Sequence, residues 1–139
     1  MKLLLDANII IDYMADRAPF ADDAERIIEL CARNTVKGTI TASTVTDIYY
    51  ILRKAASHDV ILAGLRKLFS KLEVLDVSKA DLLLAMDTDF PDLEDALIAR
   101  CATKAQADYI VTRNVKDFRH STVRAVTPAE FLTQWTCYD

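Results

Sequence analysis

The segment Lys2–Asp12, K-L-L-L-D-A-N-I-I-I-D, decides the fold class. Three consecutive leucines read as a short buried strand. Asp6 stops the apolar run, Asn8 follows, and a second apolar run opens a helix over Asn8–Met14. A carboxylate at the end of a buried strand, just before a helix, stands at the carboxyl edge of an α/β sheet, where ligands bind in such folds. The spacing makes Asn8 the expected N-cap and leaves Asp6 without a structural task.

Outward from this segment, strands alternate with helices. Phe20–Arg33 is amphipathic, with Phe20, Ala24, Ile27, Ile28 and Cys31 on one face. Gly38–Ala42 is a second strand and Ser43–Ala56 a helix with the stripe Val45, Ile48, Tyr49 and Leu52. Asp59–Leu72 is helical, with Arg66, Lys67 and Lys71 facing outward. Glu73–Val77 is a third strand, and Ser78–Met86 a helix capped by Ser78. Asp92–Lys104 is a helix, Tyr109–Thr112 a fourth strand and Val123–Val126 a fifth at the edge. Thr127, Pro128 and Glu130 form an N-cap, N1 and N3 signal for a last helix. This alternation predicts a parallel sheet of four to five strands with helices on both faces.

The 139 residues are expected to form a single domain over 1–139, without repeats or low-complexity segments. Hydrophobic residues make up 52% of the chain, enough for a substantial core, and 2 Gly and 3 Pro exclude a linker-rich chain. A net charge of −4 argues against indiscriminate binding of nucleic acid through bulk charge, but is compatible with an acidic site that takes metal ions. Cys31, Cys101 and Cys137 are an odd set without C-x-x-C spacing, which suits reduced thiols in a cytoplasmic protein. There is no signal-peptide pattern and no apolar run long enough to span a bilayer.

The acids fall at element ends. Asp47 completes T-V-T-D, a capping pattern that would place it in the first turn of its helix. Asp92 and Asp95 sit three apart at a helix start, as N-cap and N3, with Asp95 beside the apolar stripe and Glu94 read as a solvated charge. Asp117 follows the fourth strand in T-R-N-V-K-D-F, together with Thr112 and Asn114, where an Asx-turn would also account for it. Each acid has a local explanation. Together they bring carboxylates to one sheet edge, an arrangement that is costly unless a cation neutralises it. Hard divalent ions take such oxygen ligands and can serve phosphodiester hydrolysis. Arg113, Lys116 and Arg119 flank Asp117 and could position substrate phosphates. His58 and His120 have no zinc-ligand spacing, and there is no G-x-S-x-G and no Gly-rich phosphate loop.

The ordered set L-L-L-D-A-N-I-I-I-D, S-T-V-T-D-I-Y-Y-I-L-R-K, E-D-A-L-I-A-R-C-A, A-D-Y-I-V-T-R-N-V-K-D-F and T-P-A-E-F-L resembles the PIN-domain nucleases, including the toxin ribonucleases of bacterial toxin–antitoxin pairs. The resemblance covers the whole chain. It implies a Rossmann-like three-layer α/β/α fold and cleavage of RNA dependent on Mg²⁺ or Mn²⁺. It further implies Asp6, Asp95 and Asp117 as metal ligands, Asp47 as the remaining catalytic acid, and Asn114 beside the last acid, with Thr112, Arg113 and Lys116 nearby to position substrate. Asp92 is an additional carboxylate in that neighbourhood. The family often carries Glu where this chain has the shorter Asp47. Many of the family's toxins are homodimers held by an antitoxin, which makes both expected partners.

Two other readings compete. A PIN-like module could bind RNA or protein with little turnover, a reading the shortened Asp47 motivates. A receiver-type phosphoacceptor domain would use Asp76 at the end of the third strand, but Asp6 is unpaired and Lys116 is badly placed for it.

Overall fold

Strand β1 (Lys2–Leu5) is the middle of a five-stranded, all-parallel sheet in a computed structural model that describes residues 1–136. Its neighbours are β2 (Lys37–Thr41) on one side and β4 (Tyr109–Val111) on the other, with β3 (Glu73–Leu75) and β5 (Ala125–Val126) at the edges. Side chains alternate between the faces of a strand, and the leucines of β1 follow that rule. Leu3 and Leu5 enter one core with Ile9, Ile27, Ile40 and Ile48. Leu4 enters a second with Ala96, Cys101, Ile110 and Phe118.

A strand apolar on both faces needs helices on both sides. Helices α1 (Ala7–Met14), α2 (Ala21–Ala32), α3 (Ala42–Leu52), α4 (His58–Phe69) and α7 (Pro128–Thr136) contribute to the first core. Helices α5 (Lys79–Met86) and α6 (Leu93–Lys104) contribute to the second. The result is the predicted three-layer α/β/α sandwich. Among the described residues no helix is long and apolar enough to cross a membrane.

Close packing explains two sequence choices. A Cβ on Gly38 would lie 2.5 Å from Cys31 Sγ and 2.6 Å from Leu72 Cδ2, so β2 can pass beneath α2 only with glycine there. Cys31 and Cys101 are buried and free, as expected of core thiols, and burial pushes the Cys31 thiol up to about 12. Cys137 lies outside the described residues. Helix α5 starts with a full capping box between Ser78 and Asp81. The Asp81 carboxylate is buried and ion-paired with both Arg100 and Lys104, which ties α5 to α6. The Lys104 ammonium, followed by the Ser78 N–H, holds that carboxyl well below the usual range.

The strands lie within two residues of their predicted ends, but three local expectations are corrected. The N-cap of α1 is Asp6 rather than Asn8; its side chain accepts from the Ala7 N–H. Helix α3 begins at Ala42, immediately after β2, so T-V-T-D is helix interior and not a cap. Phe20 precedes α2 and is 42% exposed, whereas Ala24, Ile27, Ile28 and Cys31 are buried as expected. At α7 the Thr127 hydroxyl accepts from the Glu130 N–H, as the capping signal requires.

Candidate functional site

The strand order reverses between β1 and β4, since the chain runs from β1 outward to β2 and β3, then returns to add β4 and β5 on the other side. Such a switch point opens a crevice at the carboxyl ends of the strands. Asp6 and Thr112 stand there, one residue past β1 and β4, and the Asp6 N–H donates to Val111 O at 3.0 Å.

The Asp6 carboxylate is held from three directions. Oδ1 accepts from the Ala7 N–H at 2.8 Å. Oδ2 accepts from the Thr112 hydroxyl at 2.8 Å and from Asn8 Nδ2 at 3.4 Å. Thr112 Oγ1 itself accepts from the Asn114 N–H at 3.0 Å, which leaves its proton for Asp6. Asp6 is only 8% exposed, and burial raises its pKa. The Thr112 and Ala7 hydrogen bonds oppose that rise, the Asp117 charge adds to it, and Arg113 opposes it.

Helix α6 delivers the next acids. Asp92 is its N-cap, accepting from the Asp95 N–H at 3.0 Å as predicted. Burial, then the charges of Asp92, Asp6 and Asp117, push Asp95 up to about 6. Asp47 reaches the same place from the interior of α3, and Asp117 from the 3₁₀ turn Val115–Phe118.

Glu94 departs from the solvated charge that the sequence predicts. It is exposed, but its side chain hydrogen-bonds Asp47. That bond, burial and the charges of Asp47, Asp92 and Asp6 push it up to about 7. No helical periodicity reports this role, because it depends on Asp47, from the helix layer on the other side of the sheet, reaching the start of α6.

The fold therefore gathers Asp6, Asp47, Asp92, Glu94, Asp95 and Asp117 at one edge. Among the described residues no Lys, Arg or His forms an ion pair with any of them. Nor do three of them already close around one point as a finished cation cage. An all-oxygen donor set with uncompensated charge fits a hard divalent ion.

Two expected substrate-positioning residues are placed differently. Thr112 is fully buried, so it orients Asp6 and does not face a substrate. Arg113 is turned back onto Asp12, with Nε donating to Oδ2 at 2.7 Å and Nη2 to Oδ1 at 3.3 Å. Its guanidinium carbon also lies 4.1 Å from the centre of the Phe20 ring. Lys116 and Asn114 are exposed on the loop that carries Asp117.

These shifts have a stability consequence. Asp6, Glu94 and Asp95 hold protons more tightly folded than unfolded, where carboxyls titrate near about 4. The folded state binds more protons between that value and about 7, so stability falls as pH rises through the window. Asp81 acts oppositely: its stabilisation is complete above the unfolded value and is lost below it. In chelator, Tm is expected to pass through a maximum near about pH 5 and to decline by several degrees toward neutrality. Asp95→Asn should flatten the decline; a Tm rising steadily from pH 5 to 7.5 would contradict the arrangement.

Residues 2–116 match the family model for the PIN domain. The chain is 26% identical over 139 residues to "Ribonuclease VapC1" of Aquifex aeolicus, covering 96% of this chain and 95% of that one. The fold is similar to VapBC2 from Rickettsia felis bound to a promoter DNA fragment, with TM-score 0.72 and 21% identity, covering 91% of this chain and 98% of that one. It is also similar to a toxin–antitoxin complex from Klebsiella pneumoniae, with TM-score 0.68 and 24% identity over 91% and 97% of the two chains. The switch-point crevice with its gathered acids thus lies in a sheet that sequence and structure match alike, and the chain belongs to the PIN-domain family.

Proposed function

We propose that this protein is a divalent-metal-dependent endoribonuclease, and that it acts as the toxin of a toxin–antitoxin pair. The observation that carries the reading is the convergence of Asp6, Asp95 and Asp117 at the β1–β4 switch point, where each carboxyl is exposed to another's charge and none has an ion-pair partner among the described residues. Asp6, Asp95 and Asp117 would hold Mg²⁺ or Mn²⁺, with Asp47 completing the catalytic acids. Bound there, the ion supplies a more acidic water and neutralises charge at the phosphate.

The chain's own groups do the rest. Thr112 and the Ala7 N–H fix the Asp6 carboxylate in one orientation. Glu94 is joined to Asp47, and a group held near 7 can accept or return a proton at neutral pH. Lys116 stands beside Asp117, free to meet a substrate phosphate.

Similarity to VapC1 and to a toxin–antitoxin complex supports an antitoxin as partner, and RNA as the proposed substrate would put the work in the cytoplasm. Leu82, Leu83 and Met86 lie at helical spacing on one side of α5 and are exposed; we assign that side to a second copy of the chain.

The test is incubation of purified, antitoxin-free protein with total cellular RNA, with Mg²⁺ or Mn²⁺ and with chelator. Discrete fragments that disappear in chelator are expected, from a species eluting near twice 15.6 kDa. A folded protein that cleaves nothing with either metal would overturn the nuclease and favour the binding module.

A further inference from the structure

On the far side of the loop that carries Asp117, the structure holds a pocket of about 470 Å³ lined by Pro19, Phe20, Arg113, Asn114, Thr127 and Pro128, among others. It opens at the same carboxyl edge as the acids. Arg113 and Asn114 directly follow Thr112, which touches Asp6, and Thr127 directly follows β5. Three features of its wall are unusual together.

Phe20 is a large apolar side chain left 42% exposed at the start of an otherwise inward-facing stripe. Arg113 lies over the Phe20 ring at 4.1 Å and is braced from behind by Asp12, itself only 1% exposed. This gives a rigid, flat guanidinium whose charge Asp12 balances and whose Nη1 has no partner among the described residues; Asp23 lines the same pocket. Asn114 is exposed, and only its backbone is hydrogen-bonded within the described residues, so both ends of its side-chain amide are free.

A planar cation, an exposed aromatic ring and a free amide are the chemistry that holds an unstacked nucleobase. The planes stack on the base, while the amide, donor and acceptor at once, pairs with its edge. A phosphate would need no aromatic ring, and an aliphatic side chain would leave the amide and Nη1 unpaired. We propose that this pocket takes one nucleobase of the RNA whose backbone crosses the acidic edge, and that Asn114 selects which base. The proposal rests on the ribonuclease reading, and its test separates the two.

The first arm is metal-free. Each of the four 5′-ribonucleoside monophosphates is titrated, in chelator, into isotopically labelled protein and followed by NMR. Saturable binding of at least one nucleotide is expected, with shifts centred on Phe20 and Asn114. It should weaken at least about ten-fold in Phe20→Ala, and Asn114→Ala should narrow the difference between bases. Lys37→Ala, at the amino end of β2 and so at the opposite edge of the sheet, should leave it unchanged.

The second arm maps cut sites on a randomised RNA with Mn²⁺. The preference at one position flanking the cut should relax in Asn114→Ala, with KM rising more than kcat falls in Phe20→Ala. No saturable nucleotide binding, or binding and cut preference indifferent to both substitutions, would overturn the pocket. So would capture of N-acetyl-tyrosinamide without any nucleotide, which would assign it to an aromatic side chain of a protein partner. Cleavage without nucleotide binding would remove the pocket and keep the nuclease. Nucleotide binding at Phe20 without cleavage by any metal-loaded preparation would overturn the nuclease and, with it, the placing of this base beside a cut.

Discussion

Replacing Asp6 with asparagine is expected to lower RNA hydrolysis by about 10³-fold, equivalent to about 4 kcal/mol of lost transition-state stabilisation, while the protein stays folded. The size follows from where Asp6 sits. It is the most buried of the acids at the switch point, and its Oδ2 is oriented by Thr112 and Asn8. Asparagine keeps an oxygen for the Ala7 N–H but withdraws the charge that would hold the cation. The metal-free fold should not suffer, because burial already disfavours the ionised carboxylate. Tm in chelator is therefore expected to hold or rise, while the stabilisation that Mn²⁺ gives the native protein disappears.

Thr112→Val is the graded companion. It keeps the shape and removes only the hydroxyl that orients Asp6, so a loss of about 10- to 100-fold is expected, as for groups that support a metal ligand without touching the metal. Kinetics on a defined RNA, with Mn²⁺-dependent melting beside it, check both. Full activity in Asp6→Asn, or a Thr112→Val loss as deep as that of Asp6→Asn, would refute this assignment of roles.

The expectations that held and those that failed divide along a physical line. Alternation of short β-branched or leucine-rich runs with helical stripes is a local signal, and it was enough for the five strands and the three-layer fold. Acids at strand ends are legible for the same reason, since in a parallel sheet every strand ends at one edge; the pairing of β1 with β4, which makes Asp6 and Asp117 neighbours, is not. What failed depends on tertiary context.

T-V-T-D carries a real capping pattern, but β2 runs directly into α3 at Thr41, and the helix starts before the pattern can cap it. Asn8 has the sequence signal of a cap, yet the Asp6 side chain serves as cap and as candidate ligand together. The Glu94 pairing is invisible along one helix, because its partner Asp47 comes from the helix layer on the other side of the sheet. Arg113 is legible as a cation beside the last acid, but its partner Asp12 is not, because it is 101 residues away in sequence.

That last pair yields the largest expected effect on stability. Arg113→Ala should destabilise the protein by about 3–5 kcal/mol, because it leaves the Asp12 carboxylate buried without a counter-charge. For a chain of this length that is a fall in Tm of roughly 10–15 °C. The cost belongs to the stranded charge more than to the bond. The double variant Asp12→Leu, Arg113→Met, which removes both charges and refills the volume, is accordingly expected to recover most of the loss.

Activity should not follow stability in that double variant. The Asp12–Arg113 bridge joins α1, whose cap is Asp6, to the loop that carries Asn114 and Asp117, so it fixes the spacing of the two acids that would share the proposed ion. The double variant should therefore melt near the native temperature yet bind Mn²⁺ more weakly and cleave RNA more slowly, by about 10-fold or more. Differential scanning calorimetry and Mn²⁺ titration on the three proteins decide it. A single variant as stable as the native protein would mean that Asp12 finds water or another donor on losing Arg113. A double variant recovered in both stability and Mn²⁺ affinity would mean that the bridge serves the fold alone, and that the spacing of Asp6 and Asp117 is set by the β1–β4 pairing.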